Sequence, residues 1–137
     1  MPLSSINPAE YPSQLAEKVA RFKHSFATLD LPEPAVFASE PLHYRLRAEF
    51  RMWHQGPRVD YAMYAAEDPK TPVTLLDFPP ACEPICALMP RLRERLEGSD
   101  TLRRRLFQVE FLATLSGEML VSLIYHRPLD EAWEVAA

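Results

Sequence analysis

Apolar residues recur along the chain in two rhythms, and the switch between them marks its elements. From Ser13 to about Thr28 the rhythm is helical. Leu15, Val19, Phe22 and Phe26 recur every three or four residues, with Ala16, Ala20 and Ala27 filling in, and Gln14, Glu17, Lys18, Arg21 and Lys23 take the other side. Ser13, just after Pro12, reads as the helix cap. Residues 1–12 carry three prolines and read as an extended lead-in. Leu31-Pro32-Glu33-Pro34 stops the helix, because the residue before a proline is pushed to extended geometry. At His43 the rhythm shortens to two. Tyr44, Leu46, Ala48, Phe50 and Met52 fall on one face, and His43, Arg45, Arg47, Glu49, Arg51 and Trp53 on the other, which predicts a half-buried strand over residues 43–54. Gln55-Gly56-Pro57 is turn chemistry, and Val59 to Ala65 alternates in step with the first strand to make a hairpin. After a second turn over residues 67–72, Val73 to Phe78 reads as a short third strand.

Residues 81–97 return to the helical rhythm with Ile85, Leu88, Met89, Leu92 and Leu96 on one side. Pro84 suits the first turn of that helix, whereas Pro90 predicts a kink or a break. Gly98 closes it, and Ser99 or Asp100 opens a short helical turn through Arg103. Leu106 to Leu115 and Met119 to His126 flank Ser116-Gly117 as a second hairpin. The last strand is apolar on both faces apart from Ser122, which predicts a central, covered place in the sheet. Residues 129–137 open a helix that the chain does not finish, the reading expected of a truncated protein. The total is a single domain over residues 1–137 of α+β class, with a mostly antiparallel sheet built from two hairpins and a short strand, flanked by helices.

Composition changes this picture little. A hydrophobic content of 47% in 137 residues suffices for one core. No apolar run nears the roughly 20 residues that span a bilayer, and the amino terminus has no secretory leader, so the expectation is a cytoplasmic protein without a membrane partner. Charge matters more. The net charge is −4, which argues against an indiscriminate nucleic-acid binder. Yet Arg45, Arg47, Arg51 and Arg58 stand against Glu49 alone in residues 43–58, and six arginines stand against Glu94, Glu97 and Asp100 in residues 91–105. Two basic islands on an acidic chain permit local RNA binding.

Arg45, Arg47 and Arg51 are the first candidates, since a guanidinium makes bidentate phosphate contacts and stacks on an unpaired base. On residues alone, an exposed strand face balanced by Glu49 or Asp60 explains them equally well. Phe107 follows Arg103-Arg104-Arg105, and an aromatic beside a basic cluster is a stacking platform for single-stranded RNA. Alternation, however, places Phe107 on one face with Val109 and Phe111, which is the core reading. His43, His54 and His126 lack carboxylate or cysteine partners at ligand spacing, so no metal site is expected. Cys82 and Cys86, four apart in the second helix, read as reduced structural thiols. Only three glycines occur and none forms a Gly-rich loop after a strand, so the chain has no cofactor fingerprint.

The string His43 to His54 (HYRLRAEFRMWH) is similar to a segment near the amino terminus of bacterial tRNA (uracil-5-)-methyltransferases, which methylate the T-loop uridine of tRNA. Tyr11 to Arg21 resembles that family's opening helix. Asp77-Phe78-Pro79, Leu106-Phe107-Gln108, Leu123-Ile124-Tyr125-His126, Leu129-Asp130 and Trp133 follow in its order and spacing. The resemblance implies the amino-terminal RNA-recognition portion of an enzyme more than twice this long. It implies RNA contacts from Arg51, in front of the Trp53-His54 pair, and from Phe107 on the opened T-loop. With the basic islands, the candidate RNA-binding set is Arg45, Arg47, Arg51, Arg105, Phe107 and His126. The implied cofactor is S-adenosylmethionine, used by the full-length enzyme and not bound by this chain. The catalytic cysteine, the carboxylate base and the cofactor site would lie in a carboxy-terminal domain, leaving this chain inactive by itself. Expected partners are the tRNA T-arm, other RNAs with a T-like loop, and that catalytic domain. The rival expectation is a stand-alone α+β adaptor whose arginines meet an acidic protein.

Overall fold

In the computed structural model, which describes residues 6–137, a 3-10 turn over Pro8–Glu10 leads without a gap into helix α1, Tyr11–Ser25. The lead-in expected over residues 1–12 lies outside the described residues up to residue 5, and beyond that the chain is already turning by Pro8. Asn7 starts the turn, its Oδ1 accepting from Ala9 N at 3.1 Å. Ser13 is not the cap: the flanking position belongs to Glu10, and the Ser13 hydroxyl donates back to Glu10 O at 2.9 Å. Pro12 explains the early start, because its fixed φ suits the first helical turn. The helix belongs to a unit that ends at Leu42, a second unit spanning His43–Ala137. Within the first, Tyr11 Oη accepts from Ser39 N at 2.8 Å, and Lys23 pairs with Glu33.

The second unit is a five-stranded sheet with helices, α+β as expected. Its strands are β1 (Arg47–Gln55), β2 (Arg58–Tyr64), β3 (Pro72–Leu75), β4 (Leu106–Ala113) and β5 (Met119–Tyr125), in the order β3-β2-β1-β4-β5, every neighbouring pair antiparallel. The two hairpins meet through β1 and β4, where Ala48 pairs with Phe111 and Phe50 with Val109. That long-range pairing makes β1 central and leaves β5 at the edge, which overturns the central place expected for β5. Its apolar outer positions stay open: Leu120 is 60% exposed, opposite Leu112 at 47%.

β1 also begins later than the alternation implied. Residues 43–45 leave the sheet and run beside residues 79–82: His43 N donates to Pro79 O, Arg45 N to Pro80 O, and Cys82 N to Arg45 O, at 2.8–2.9 Å. Tyr44, assigned to the apolar face, is therefore exposed. β3 ends at Leu75, which frees Phe78 to turn its ring inward.

The core lies under one face of the sheet. Phe50 meets the rings of Tyr61, Phe78 and Phe111 with centroids 5.4, 5.3 and 6.2 Å away, tilted or edge-on, the geometry aromatic quadrupoles favour. Helix α2, Glu83–Glu97, supplies Ile85, Met89 and Leu96, all fully buried, and Tyr61 Oη donates to Met89 O at 2.7 Å. The break expected at Pro90 is absent. Pro90 sits on the exposed side, and the buried positions before and after it hold the helix to the sheet. A four-residue helix α3, Asp100–Arg103, follows, with Ser99 Oγ accepting from Leu102 N at 3.3 Å. Helix α4, Glu131–Ala136, starts on an Asp130 cap.

Candidate nucleic-acid interface

The site is made by one extra residue. Leu106 pairs with Tyr125 and Gln108 with Ile124, so Phe107 has no partner and forms a β-bulge at the start of β4. Arg105 enters it with a positive φ of 57°, a conformation costly for a side chain with a Cβ. On β1, the His54 ring anchors the bulge, its Nε2 lying 2.7 Å from Leu106 O. A bulge resets the in-and-out alternation. Leu106, Val109, Phe111 and Ala113 point into the core, and Phe107 is turned out toward the exposed side chains of β1. The alternation that put Phe107 in the core with Val109 and Phe111 is thereby corrected.

On that outer side three flat groups stack. The Arg51 guanidinium carbon lies 3.8 Å from the Phe107 ring centroid, and the His126 ring lies 3.9 Å from it with 21° between planes. Two groups at that height cannot share one face of a benzene ring, so Phe107 is sandwiched between them. The column steps across the sheet, from Arg51 on β1 through Phe107 on β4 to His126 just past β5. β5 is the edge strand, so the column ends at an exposed imidazole. A guanidinium over an aromatic face contributes about 0.5–2 kcal/mol.

The other candidates are placed differently. Arg105 is exposed two residues before Phe107, and its carbonyl accepts from His126 N at 3.0 Å. Arg47 shares the outer face of β1 but pairs with Glu49 at 2.9 Å and Glu110 at 3.7 Å, while Gln108 donates to Glu110 at 2.8 Å. Arg45 lies before β1, with its guanidinium 5.9 Å from the Phe78 ring centroid. The structure thus brings Arg51, Phe107, His126 and Arg105 together and leaves Arg45 and Arg47 apart from them.

The second basic island is partly spent on the fold. Arg93 donates to Asp60, Arg95 to Ala136 O, and Arg103 to Glu97 O and Asp100. Among the described residues, Arg91, Arg104 and Arg105 make no ion pair. His43 Nδ1 lies 2.8 Å from Ala81 O, a structural role. Cys82 and Cys86 are free thiols, and burial, then the neighbouring Cys82 and Asp77, push the Cys86 thiol up, away from thiolate character. Among the described residues no His, Cys, Asp and Glu group could hold a metal. Sequence reasoning passed over Tyr125 and Arg127, which bracket His126 and bind backbone carbonyls of residues 101–104. The arginine before Pro128 was the available signal.

A family model described as tRNA (Uracil-5-)-methyltransferase matches residues 10–137. This chain belongs to that family. It is 69% identical over its whole length to a tRNA/tmRNA (uracil-C(5))-methyltransferase of Aromatoleum aromaticum, of which it covers 37%. The corresponding protein of Dechloromonas aromatica is 64% identical over the whole chain, with 38% covered, and that of Pseudomonas syringae is 53% identical over 131 residues, with 36% covered. The chain therefore spans well under half the length of these curated methyltransferase relatives, matching their amino-terminal part.

Proposed function

We propose that this chain is the RNA-recognition portion of an S-adenosylmethionine-dependent tRNA (uracil-5-)-methyltransferase, gripping the T-arm of tRNA and other RNAs with a T-like loop. The observation that carries this reading is the Arg51–Phe107–His126 column, which ends in an exposed imidazole next to the Arg105 backbone. An unpaired base has a π-face of its own and extends such a column by one layer, while the arginines meet the flanking phosphates. Stacking of this kind offsets part of the cost of holding a target nucleotide out of its loop.

The cofactor does not fit the residues present. Gly56 and Gly117 lie in hairpin turns and Gly98 ends α2, so no glycine loop follows a strand to cradle a nucleotide. In this reading methyl transfer and the S-adenosylmethionine site belong to a carboxy-terminal catalytic domain. The two units described here serve it as one recognition portion, in the cytoplasm. Among the described residues no helix is long and apolar enough to cross a membrane.

The test is the affinity of this chain for a T-arm stem-loop RNA against the same stem with a scrambled loop. Phe107→Ala and Arg51→Ala each weaken stem-loop binding by about tenfold, from the worth of one stacked layer. Equal affinity for both RNAs, or unchanged affinity in both variants, removes the RNA reading and returns the arginines to a protein-binding role.

A further inference from the structure

The His126 ring stacks on Phe107 from a position just beyond the end of β5, exposed to solvent. Stacking of two small rings in water is weak, so the placement needs a second source. Its sequence neighbours supply it. The chain bends at residues 126 and 127, just past β5, and the side chains on either side of His126 reach back to the α3–β4 segment. Tyr125 Oη donates to Leu102 O at 2.6 Å. Arg127 donates from Nε to Arg104 O at 2.9 Å and from Nη2 to Thr101 O at 2.7 Å. Its Nη1 donates to Pro128 O at 3.2 Å, and the guanidinium carbon lies 5.3 Å from the Tyr125 ring centroid. Between them the backbone N–H of His126 donates to Arg105 O at 3.0 Å.

The acceptors explain why an arginine stands there. Helix α3 has four residues, so its last carbonyls find no N–H further along and carry uncompensated partial negative charge. A fixed, planar cation with several donors satisfies Thr101 O in the helix and Arg104 O just past it at once, which a lysine cannot do in the same geometry.

We infer that Arg127 is a positioning residue of the RNA site. It docks the end of β5 onto the α3–β4 connection and so holds the His126 ring against Phe107, without itself touching RNA. Its functional consequence rests on the RNA reading above: a prebuilt column spares the RNA the cost of ordering His126.

The experiment compares the chain with Arg127→Lys, His126→Ala and the double variant, with Arg127→Gln in reserve. Aromatic NMR reads the upfield ring-current shift of the His126 ring protons over Phe107, and titration with the T-arm stem-loop reads affinity. Signals from Phe50 and Phe111 report that the fold is intact. Arg127→Lys is expected to lose most of the His126 shift and to weaken binding by about fivefold to tenfold. The double variant is expected to bind no more weakly than His126→Ala alone, because both act through one ring. Unchanged His126 shifts in folded Arg127→Lys, or full additivity in the double variant, overturn the inference. Should Arg127→Lys not fold, Arg127→Gln, which loses the paired donors, takes its place, and an unmoved His126 there is equally fatal. Wild-type chain that ignores RNA refutes the RNA reading, while the ring-current result alone still decides the role of Arg127.

Discussion

Asp60 shows how one buried charge is tolerated in this sheet. It is 2% exposed and lies between Arg58 Nε at 2.7 Å and Arg93 Nη1 at 2.9 Å. Burial pushes its carboxyl up, but the hydrogen bonds and charges of Arg58 and Arg93 outweigh that and hold it below the usual carboxylate range. A carboxyl lowered in the folded state adds stability that is complete above the unfolded value, roughly pH 4, and is lost as pH falls through that value and below. Asp60→Asn should therefore cost about 3 kcal/mol at neutral pH, the lower end for a broken buried pair because Arg58 stays solvated. Urea unfolding reads this, and the gap to wild type should narrow below about pH 4. Asp60 and Glu49 were recognisable from sequence as groups able to neutralise arginines. Which arginine each takes was not, since Arg93 comes from a helix thirty-three residues away. His126 was among the sequence candidates, but its stacking on Phe107 was not legible, because it rests on a bulge that no spacing rule reveals.

At the level of elements, local signals carried furthest. The β1–β2 turn was legible because Gly56 adopts a φ of +61°, which few other residues tolerate. A Cβ there would meet nothing within 4 Å, so Gly56→Ala isolates the backbone cost, about 1–2 kcal/mol of lost stability. Gly56→Asn should recover part of it in thermal melts, since asparagine enters this conformation more readily. The rhythm of β4 was legible from Gln108 to Ala113 and failed at Phe107, because a bulge is an insertion in pairing and not in composition. Pro90 did not break its helix, one of the two outcomes its position allowed. Continuity across it is supported by Ile85, Met89 and Leu96, whose burial depends on a sheet that the helix sequence does not contain.

For the molecule as a whole, the proposed RNA role is compatible with an acidic chain if the charges are segregated. The net charge of −4 keeps general affinity for polyanions low, while exposed Arg105 adjoins the column through its backbone contact with His126. With about three phosphates neutralised, log affinity for the stem-loop should fall against log salt with a slope of about −2, measured by anisotropy from low to physiological ionic strength. The α+β class followed from grouped strands and flanking helices, but strand order did not, because the β1–β4 pairing joins segments some sixty residues apart. That order has a cost in handling. β5, Met119–Tyr125, reads MLVSLIY: strongly β-forming, uncharged, without proline, and set at a sheet edge. Such a segment can template pairing with a second copy of itself, so concentrated preparations should drift toward β-rich aggregates. A single gatekeeper charge, Leu120→Lys on its solvent side, should suppress them and leave the column untouched.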